Sequence, residues 1–308
     1  MSRTPLTCRL CLGTSLYCLG ALPDSDFFAG RVLERPIPGG ELWRCNACGS
    51  MFRHPVLAAE TYSELYVAGA TDQWSAEGVR NDLKVIRRQI AQRSGEQAVL
   101  DVGCSAGAFL LTLPASVRKF GVEPSTATAA AASQAGICIA GRTLEELQFN
   151  ALFDVITIID VIEHVEDPLG FLDRAAAHLA PGGSLIVSTG DPLYAPWRHV
   201  FRSRFWYSSF PEHITFPSLR AFDTWRRRHG LKPPIAVRIR YRRLRPWAVA
   251  AHFGLMVVFL VSPNLLNAVM RCVQRLRGVI RPRRRCFSPG APGVFTDHQV
   301  ITFIRPAI

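Results

Sequence analysis

The first residues of the chain, MSRTPLTCRLC, lack the apolar segment that a secretory signal peptide requires. This absence argues against an exported protein stabilised by disulfides. We therefore expect a cytoplasmic chain whose nine cysteines are reduced or bound to metal. At 308 residues, the chain is long enough for one large α/β domain with appended segments.

Lysine is scarce throughout the chain, and acidic residues are scarce in its last third. Of the 36 basic residues, 33 are arginine. From residue 198 to the end, 20 arginines and one lysine accompany three acidic residues, a net charge of +18, so residues 1–197 carry −6 of the total of +12. Guanidinium groups bind phosphate or carboxylate in a bidentate manner, which indicates an anionic partner. A codon bias in favour of arginine is the alternative explanation.

Formal charge is absent from residues 246–270, a segment of 25 residues with arginines on both sides. Its length alone would span a bilayer, but the equal charge of its flanks gives no orientation, and Pro263 can break it into two helices. We predict a helical insertion over 246–290 that lies at the inner face of the membrane, with its arginines at anionic headgroups. A homodimer interface is the alternative. Nucleic acid is disfavoured because few aromatic residues accompany the arginines.

Two Cys-x-x-Cys pairs precede residue 70, namely Cys8 with Cys11 and Cys45 with Cys48. Four thiolates in this pattern can hold Zn²⁺ in a tetrahedral, fully occupied site that shapes the fold and performs no catalysis. The residues between the pairs leave room for a β-ribbon. We predict a zinc-ribbon module and linker over 1–70, with two disulfides or a redox Cys-x-x-Cys as the alternatives.

Residues 98–110, AVLDVGCSAGAFL, have the pattern of a buried strand, a tight turn and the start of a helix. Gly103 and Gly107 allow the backbone to turn sharply and to approach a ligand closely. Asp101 is expected to close the strand at the carboxyl edge of a sheet, where open α/β folds bind their ligands. On its own, this pattern fits a purely structural turn equally well.

Further polar residues follow later strands at the same predicted edge. Glu123 follows the strand predicted over 117–122 and lies 20 residues after Gly103, the spacing of a carboxylate that binds ribose hydroxyls. The apolar run 153–159 is typical of a central parallel strand. It precedes Asp160, Glu163 and His164. The alternation of five strands with helices predicts an α/β fold with a doubly wound parallel sheet.

Four motifs in order, VLDVGCSAGAFL, GVEPS, FDVITIIDVIEHVEDP and LAPGGSLIVSTGDP, resemble those of the class I S-adenosylmethionine-dependent methyltransferases. The resemblance implies a Rossmann-like seven-stranded sheet within 71–245, with the last strand in 291–308 after the hydrophobic insertion. It also implies S-adenosylmethionine as the cofactor. The family loop has a glycine where this chain has Ser105. The cysteine module is similar to the zinc-ribbon leader of sugar C-methyltransferases.

The resemblance assigns cofactor contacts to a set of residues that follow the strands: Asp101, Gly103, Ser105, Gly107, Glu123, Leu144, Glu145 and Asp160. Within this set, Glu123 is expected to bind the ribose hydroxyls. Leu144 and Glu145 are expected to flank the adenine. Asp160 is expected to close the site near the methionine end.

Methyl transfer to a hydroxyl or an acidic carbon needs a general base. His213 and His164 are the candidates. His213 matches a family histidine that opens the substrate-side helix, but it can equally be a structural cap, and His164 can be a polar residue beside a helix. We predict a methyltransferase that acts on a small-molecule or saccharide acceptor, including a lipid-linked one, at a membrane surface. A non-catalytic binding protein with the cofactor fold and an RNA methyltransferase are the alternatives.

Overall fold

The structure, a computed structural model, describes residues 6–68, 80–147, 150–266, 268 and 296–307. Its strands are β1 Leu16–Ala21, β2 Ser25–Phe28, β3 Arg31–Ile37, β4 Glu41–Cys45, β5 Met51–His54, β6 Gln97–Val102, β7 Val117–Val122, β8 Cys138–Gly141, β9 Phe153–Ile159, β10 Leu179–Gly190, β11 Thr215–Phe216, β12 Ile235–Ile239 and β13 His298–Ile304. Its α-helices are α1 Ala59–Ala68, α2 Asn81–Ala91, α3 Ala108–Leu111, α4 Thr126–Gln134, α5 Pro168–Ala177, α6 Leu219–Arg228 and α7 Pro246–Val261.

Seven strands form the main sheet, in the order β12-β13-β10-β9-β6-β7-β8. The pairs among β6, β7, β8, β9 and β10 are parallel. β13 pairs antiparallel with both β10 and β12. The predicted seven-stranded Rossmann-like sheet is therefore confirmed.

The central strands are buried on both faces, as the apolar run of β9 indicates. Alternate residues of β9 belong to different cores, because side chains of a strand point to opposite faces. Val155 packs in a core with Ile86 of α2. Ile156 packs in a core with Leu172 of α5 and Phe222 of α6. The sheet is thus covered by helices on both faces.

Local capping signals place three helices where the sequence predicts them. Ser125 accepts a hydrogen bond from the backbone of α4, Asp167 from that of α5, and Ser218 from that of α6. Strand β10 begins at Leu179, and its pairing with β9 shifts register between Leu179 and Ser184.

The N-terminal residues build a second sheet with the order β1-β4-β5-β11, beside the predicted ribbon of β2 and β3. β11 comes from the far side of the predicted domain boundary and pairs antiparallel with β5, Thr215 opposite Phe52 and Phe216 opposite Met51. The boundary at residue 70 stays a prediction. The sheet itself includes residues from both sides of it.

Helix α7 is the first part of the predicted insertion and ends before Pro263. Its Met256 and Phe259 are buried, and the ring of Phe259 lies 6.2 Å from that of Phe201. Other apolar side chains of α7 are exposed, including Phe253 at 58% and Leu260 at 52%. Among the helices in the described parts of the chain, none is long and apolar enough to cross a membrane. Most of the insertion after Leu266 lies outside the described residues.

Candidate active site

The loop after β6 passes through the left-handed region at three residues, with φ of +77° at Gly103, +49° at Ser105 and +81° at Gly107. A side chain is disfavoured at Gly107, because its φ is left-handed and an added Cβ would lie 1.9 Å from Cδ1 of Ile137, which would have to move. Ser105 adopts a conformation that favours glycine, which explains the glycine of the family pattern at this position. The turn directs the backbone N–H of Ser105 to Glu123.

Glu123 directly follows β7 and is 8% exposed. Its Oε2 accepts a hydrogen bond from the backbone N of Ser105 at 2.8 Å. Its Oε1 accepts from the backbone N of Ser125 at 2.9 Å and from Oγ1 of Thr128 at 3.0 Å. A carboxylate has about four acceptor positions. The three bonds therefore hold Glu123 in place and leave acceptor capacity for a ligand hydroxyl.

Asp101 is buried in β6, and its Oδ1 accepts a hydrogen bond from Oγ1 of Thr157 at 2.6 Å. Burial raises the pKa of Asp101 to about 7, and the charge of Glu123 adds to the rise, while the Thr157 bond and the charge of Arg80 oppose it. These interactions place Asp101 near both Glu123 and Arg80. Asp101 supports the loop from the strand side.

Asp160 follows β9 with a φ of +52°. Its Oδ2 lies 2.7 Å from Nη2 of Arg80 and accepts a hydrogen bond from the hydroxyl of Tyr241 at 3.3 Å. The Arg80 guanidinium also lies 4.3 Å from the ring centroid of Tyr241. Oδ1 of Asp160 is buried and has no hydrogen-bond partner among the described residues. A buried oxygen of this kind indicates a missing donor.

Sequence reasoning missed Arg80 and Asp82, which form part of the surroundings of Asp160. Arg80 forms a buried ion pair with Asp82, and Ser188 donates a hydrogen bond to Asp82 at 3.0 Å. Their other partners, Ser188 and Asp160, are far away in sequence, so no local motif marks this set of contacts. One signal was available: Asp82 shares the buried face of α2 with Ile86 and Ile90 at helical spacing.

A second group of side chains lies just beyond Asp160, on the turn Ile162–His164 and the loop before β11. Ligand-type atoms of Glu163, His164 and His213 lie within 4.8 Å of one another. The two imidazole rings are 4.8 Å apart between centroids and nearly perpendicular. The structure therefore brings the two predicted base candidates together.

Glu163 is the buried acidic member of this group. It is fully buried and accepts hydrogen bonds from Oγ1 of Thr189 at 3.0 Å and from the hydroxyl of Tyr207. Burial raises the pKa of Glu163 to about 7, and the charge of Asp160 adds to the rise against the effect of both hydrogen bonds. The negative charge of Asp160 therefore contributes to the raised pKa of Glu163.

The two histidines have different surroundings. Nδ1 of His164 lies 3.0 Å from the hydroxyl of Tyr66, a residue of α1. Burial lowers the pKa of His164 to about 4, so this imidazole is neutral at pH 7. Nδ1 of His213 lies 3.0 Å from the carbonyl oxygen of Tyr207. Because a carbonyl only accepts, Nδ1 of His213 carries the proton and Nε2 is the basic nitrogen.

The two residues expected near the adenine lie on the turn Leu144–Glu146. Leu144 is buried in the core that contains Ile156. The Glu145 carboxylate pairs with Nε of Arg174 at 2.6 Å and is 57% exposed. Their contact with the adenine stays a prediction.

The four cysteines predicted to bind metal converge at one point. All four Sγ atoms lie within 4.8 Å of one another, with 3.7 Å between those of Cys8 and Cys48 and 3.5 Å between those of Cys11 and Cys45. Tetrahedral zinc with Zn–S bonds of about 2.3 Å separates its sulfurs by about 3.8 Å. The thiol of Cys8 hydrogen-bonds Cys48 and lowers the pKa of Cys48 to about 5 against the effect of burial. The cluster thus offers a thiolate at neutral pH.

Comparison with known proteins decides the family. A family described as a methyltransferase domain matches residues 77–233, just over half of the chain. The chain belongs to the class I S-adenosylmethionine-dependent methyltransferase family. The resemblance inferred from the four motifs is therefore confirmed. The matched range of this methyltransferase contains Glu123, Asp160 and both histidines, whereas the four cysteines and α7 lie outside it.

Curated relatives match a shorter part of this methyltransferase. The ubiquinone biosynthesis O-methyltransferase of Bradyrhizobium diazoefficiens is 40% identical over 104 residues, which cover 31% of this chain and 40% of that protein. The protein of the same name from Rickettsia canadensis is 38% identical over 101 residues, 30% of this chain and 42% of that protein. The chain thus spans about two fifths of the length of these relatives.

Solved methyltransferase structures are more distant. One from Thermotoga maritima, named as a possible histamine N-methyltransferase, shows 19% identity and a TM-score of 0.45, covering 73% of this chain and 87% of that chain. One from Archaeoglobus fulgidus shows 14% identity and a TM-score of 0.45, covering 80% and 100%. Such distant likeness carries no information about the acceptor.

Proposed function

We propose that this methyltransferase transfers the methyl group of S-adenosylmethionine to a small-molecule or saccharide acceptor, including a lipid-linked one, at a membrane surface. One observation carries the proposal: two groups of side chains meet at one edge of the sheet. Glu123 and Asp160 form the cofactor side. His164 and His213 lie beside Glu163, whose pKa responds to Asp160. A donor and an acceptor bound to the two groups would be neighbours.

The cofactor side fits S-adenosylmethionine. Glu123 keeps acceptor capacity for the ribose hydroxyls, and the loop 103–107 is partly exposed at Gly103, Ser105 and Ala106. The buried Oδ1 of Asp160, which no described residue donates to, suits the ammonium group of the methionine part. Arg80 fixes the orientation of Asp160 through the opposite oxygen.

Bound S-adenosylmethionine supplies a methyl group that its sulfonium has already activated. The protein must align the acceptor, exclude water and take up the acceptor's proton. His213 faces the carbonyl of Tyr207 with its Nδ1, so Nε2 is the nitrogen of this residue that is suited to a hydrogen bond with the acceptor. His164 has a pKa of about 4 because of burial, so it is the weaker base and better suited to a hydrogen bond with the acceptor.

The test of the cofactor side is Glu123→Ala. Loss of a charged acceptor of ribose hydrogen bonds should weaken binding of S-adenosylhomocysteine by at least about tenfold. Isothermal titration calorimetry measures the affinity. Glu96→Ala is the matched control, because Glu96 is 70% exposed and pairs with Arg118 on the surface. Equal affinity in the Glu123→Ala and Glu96→Ala variants would contradict the assignment.

The acceptor is sought by transfer of a radiolabelled methyl group from S-adenosylmethionine into an extract of source cells that lack this chain. The curated relatives are named as O-methyltransferases of ubiquinone biosynthesis, which favours a small-molecule hydroxyl for this chain as well. Cofactor binding without any labelled product would indicate the alternative, a non-catalytic binding protein. Labelled RNA, with binding that weakens steeply as salt rises, would indicate an RNA methyltransferase.

We further infer that the cysteine cluster binds one zinc ion. Its four sulfurs have the number, identity and spacing that a structural zinc site requires. With all four positions taken by protein, such an ion supplies fold stability and no catalysis.

The membrane part of the proposal rests on α7 and the residues before it. Five exposed arginines precede α7, which carries exposed apolar side chains, in the chain: Arg238, Arg240, Arg242, Arg243 and Arg245. An arginine near an anionic bilayer surface contributes about 1 kcal/mol to binding, and the apolar side chains add to it by leaving water. Arginines 271–285, which were predicted to act on the other flank, lie outside the described residues.

Wild-type protein is expected to float with vesicles of phosphatidylglycerol. With vesicles of phosphatidylcholine alone it is expected to remain at the bottom of the gradient. A triple variant, Phe253→Glu, Val257→Glu and Leu260→Glu, alters one exposed stripe of α7 and should reduce the floating fraction at least about tenfold. The control places three glutamates at exposed apolar positions elsewhere: Leu111, Leu152 and Ile235. Wild type that never floats would refute membrane binding. A dimer that the α7 variant converts to monomer would instead indicate a homodimer interface.

A further inference from the structure

A buried aspartate and histidine lie side by side at the start of β13, and the site described above does not use them. Asp297 and His298 are each 2% exposed. Nδ1 of His298 lies 2.9 Å from Oδ1 of Asp297. Because a carboxylate accepts and does not donate, the Nδ1 proton belongs to His298 and its Nε2 presents a lone pair.

The sheet brings His298 to the active edge. β13 runs antiparallel to β10, so its first residue lies beside the last residue of β10, with His298 opposite Gly190. On the other side His298 lies opposite Ile239, the last residue of β12. Sequence reasoning predicted a last strand within 291–308 but assigned no role to the N-terminal end of that strand. In an antiparallel strand, that end is the one near the ligand.

Two aromatic residues connect His298 to both halves of the site. Its ring lies 4.7 Å from that of Tyr241 and 5.3 Å from that of Tyr207, measured between centroids. Tyr241 donates its hydroxyl to Asp160 on the cofactor side. Tyr207 donates its hydroxyl to Glu163 on the histidine side. His298 therefore lies where the donor and the acceptor are proposed to meet.

The surroundings favour proton uptake by His298. Burial by itself would lower the pKa of His298, but the hydrogen bond and charge of Asp297, together with the charges of Asp160 and Asp82, outweigh it and keep the pKa above its ordinary value. The titratable or charged groups around the ring come from several elements: Asp82, Asp160, Asp191, Tyr207, Tyr241 and Asp297. His164, in contrast, has its pKa lowered by burial.

We propose that Asp297 and His298 form the general base of the methyl transfer, with Nε2 of His298 as the atom that takes the acceptor's proton. This inference rests on the proposed function. The acceptor's O–H or C–H bond breaks as its proton goes to Nε2, and the remaining electron pair forms the bond to the methyl carbon while the methyl–sulfur bond breaks. Asp297 stabilises the imidazolium that results. His213 then orients the acceptor.

The first test needs no acceptor. The His298 imidazole is titrated by NMR in complexes with S-adenosylhomocysteine, which is neutral at sulfur, and with S-adenosylmethionine, which carries a sulfonium charge. A cation close to Nε2 should weaken the proton affinity of His298 by roughly tenfold. His178 is the control, because its Nδ1 faces the carbonyl of Ala151 at the opposite edge. The same pKa of His298 in both complexes would refute the proposal that its Nε2 lies close to the sulfonium.

The second test uses the labelled-methyl transfer into cell extract. His298→Gln should bind S-adenosylhomocysteine as wild type does and lose at least about a hundredfold in transfer rate. Asp297→Asn should lose less and should shift the rising limb of the pH profile of transfer to lower pH, because the pKa of His298 falls when the carboxylate no longer stabilises the imidazolium. His298→Gln with wild-type transfer refutes the base while leaving the proposed function standing. Wild type without transfer refutes the proposed function itself.

Discussion

Replacing Cys45 with serine is expected to release the metal and unfold the N-terminal sheet. The module has little apolar core of its own around the cysteines, with Leu10 and Phe52 as its large buried side chains. A structural zinc site in a small module supplies roughly 10–16 kcal/mol, more than such a core provides. We therefore expect the thermal unfolding of residues 6–54 to move to a much lower temperature. Metal analysis and calorimetry measure the two effects.

The effect should reach the acceptor side of the site but spare the cofactor side. Ser218, the N-cap of α6, donates its hydroxyl to the carbonyl of Cys48 at 2.6 Å and accepts a hydrogen bond from Ser50. No comparable bond joins the cysteine loops to Glu123 among the described residues. The Cys45→Ser variant should consequently retain binding of S-adenosylhomocysteine. Its methyl transfer into extract should fall.

Cys18→Ser is the matched control for this experiment, since Cys18 lies in the same module and is not part of the cluster. It should keep both the metal and the stability of wild type. A wild-type protein that is purified without metal and folds normally would refute the zinc assignment. A metal-bound Cys45→Ser protein of unchanged stability would refute the role of this ligand.

The part of the site that follows strands was predictable from sequence. Asp101, Glu123 and Asp160 each come at or directly after a buried strand, and parallel strands deliver such residues to one edge. Apolar runs and Gly-containing turns reveal both the strands and their ends. The histidines were also found, because the family motif fixes their spacing to the strands.

The remaining contacts of the site could not be predicted, because they join segments that are far apart in the sequence. Arg80 meets Asp160 and Tyr241 only in the folded chain, and the same holds for Tyr66 of α1 and His164. His298 was hidden for another reason. It begins an antiparallel strand, whose N-terminal end lies at the active edge, whereas the sequence pattern directs attention to the ends of parallel strands.

Arg53→Met is expected to cost about 3–5 kcal/mol of folding free energy and to loosen the loop that carries His213. Arg53 of β5 is 4% exposed. Its guanidinium donates to the carbonyl oxygens of Ser208 and Phe210 at 3.2 Å each and of His213 at 3.4 Å. Methionine keeps much of the volume but donates nothing, so buried carbonyls lose their partners.

Burial lowers the pKa of Arg53 to about 10, so the side chain is still charged at neutral pH and its bonds to the carbonyls are the strong, charge-assisted kind. Urea unfolding measures the stability. Faster tryptic cleavage after Arg202 and Arg204 would report a loosened loop, with S-adenosylhomocysteine binding unchanged.

Arg35→Met, at an exposed position of β3, is the control for the loss of an arginine as such. If both variants unfold at the same urea concentration and are cleaved at the same rate, Arg53 does not hold the loop. If only Arg53→Met is cleaved faster and also loses methyl transfer, the N-terminal sheet is a working part of the acceptor site. The pairing of β11 with β5 would then explain why the cysteine module and the methyltransferase sheet occur in one chain.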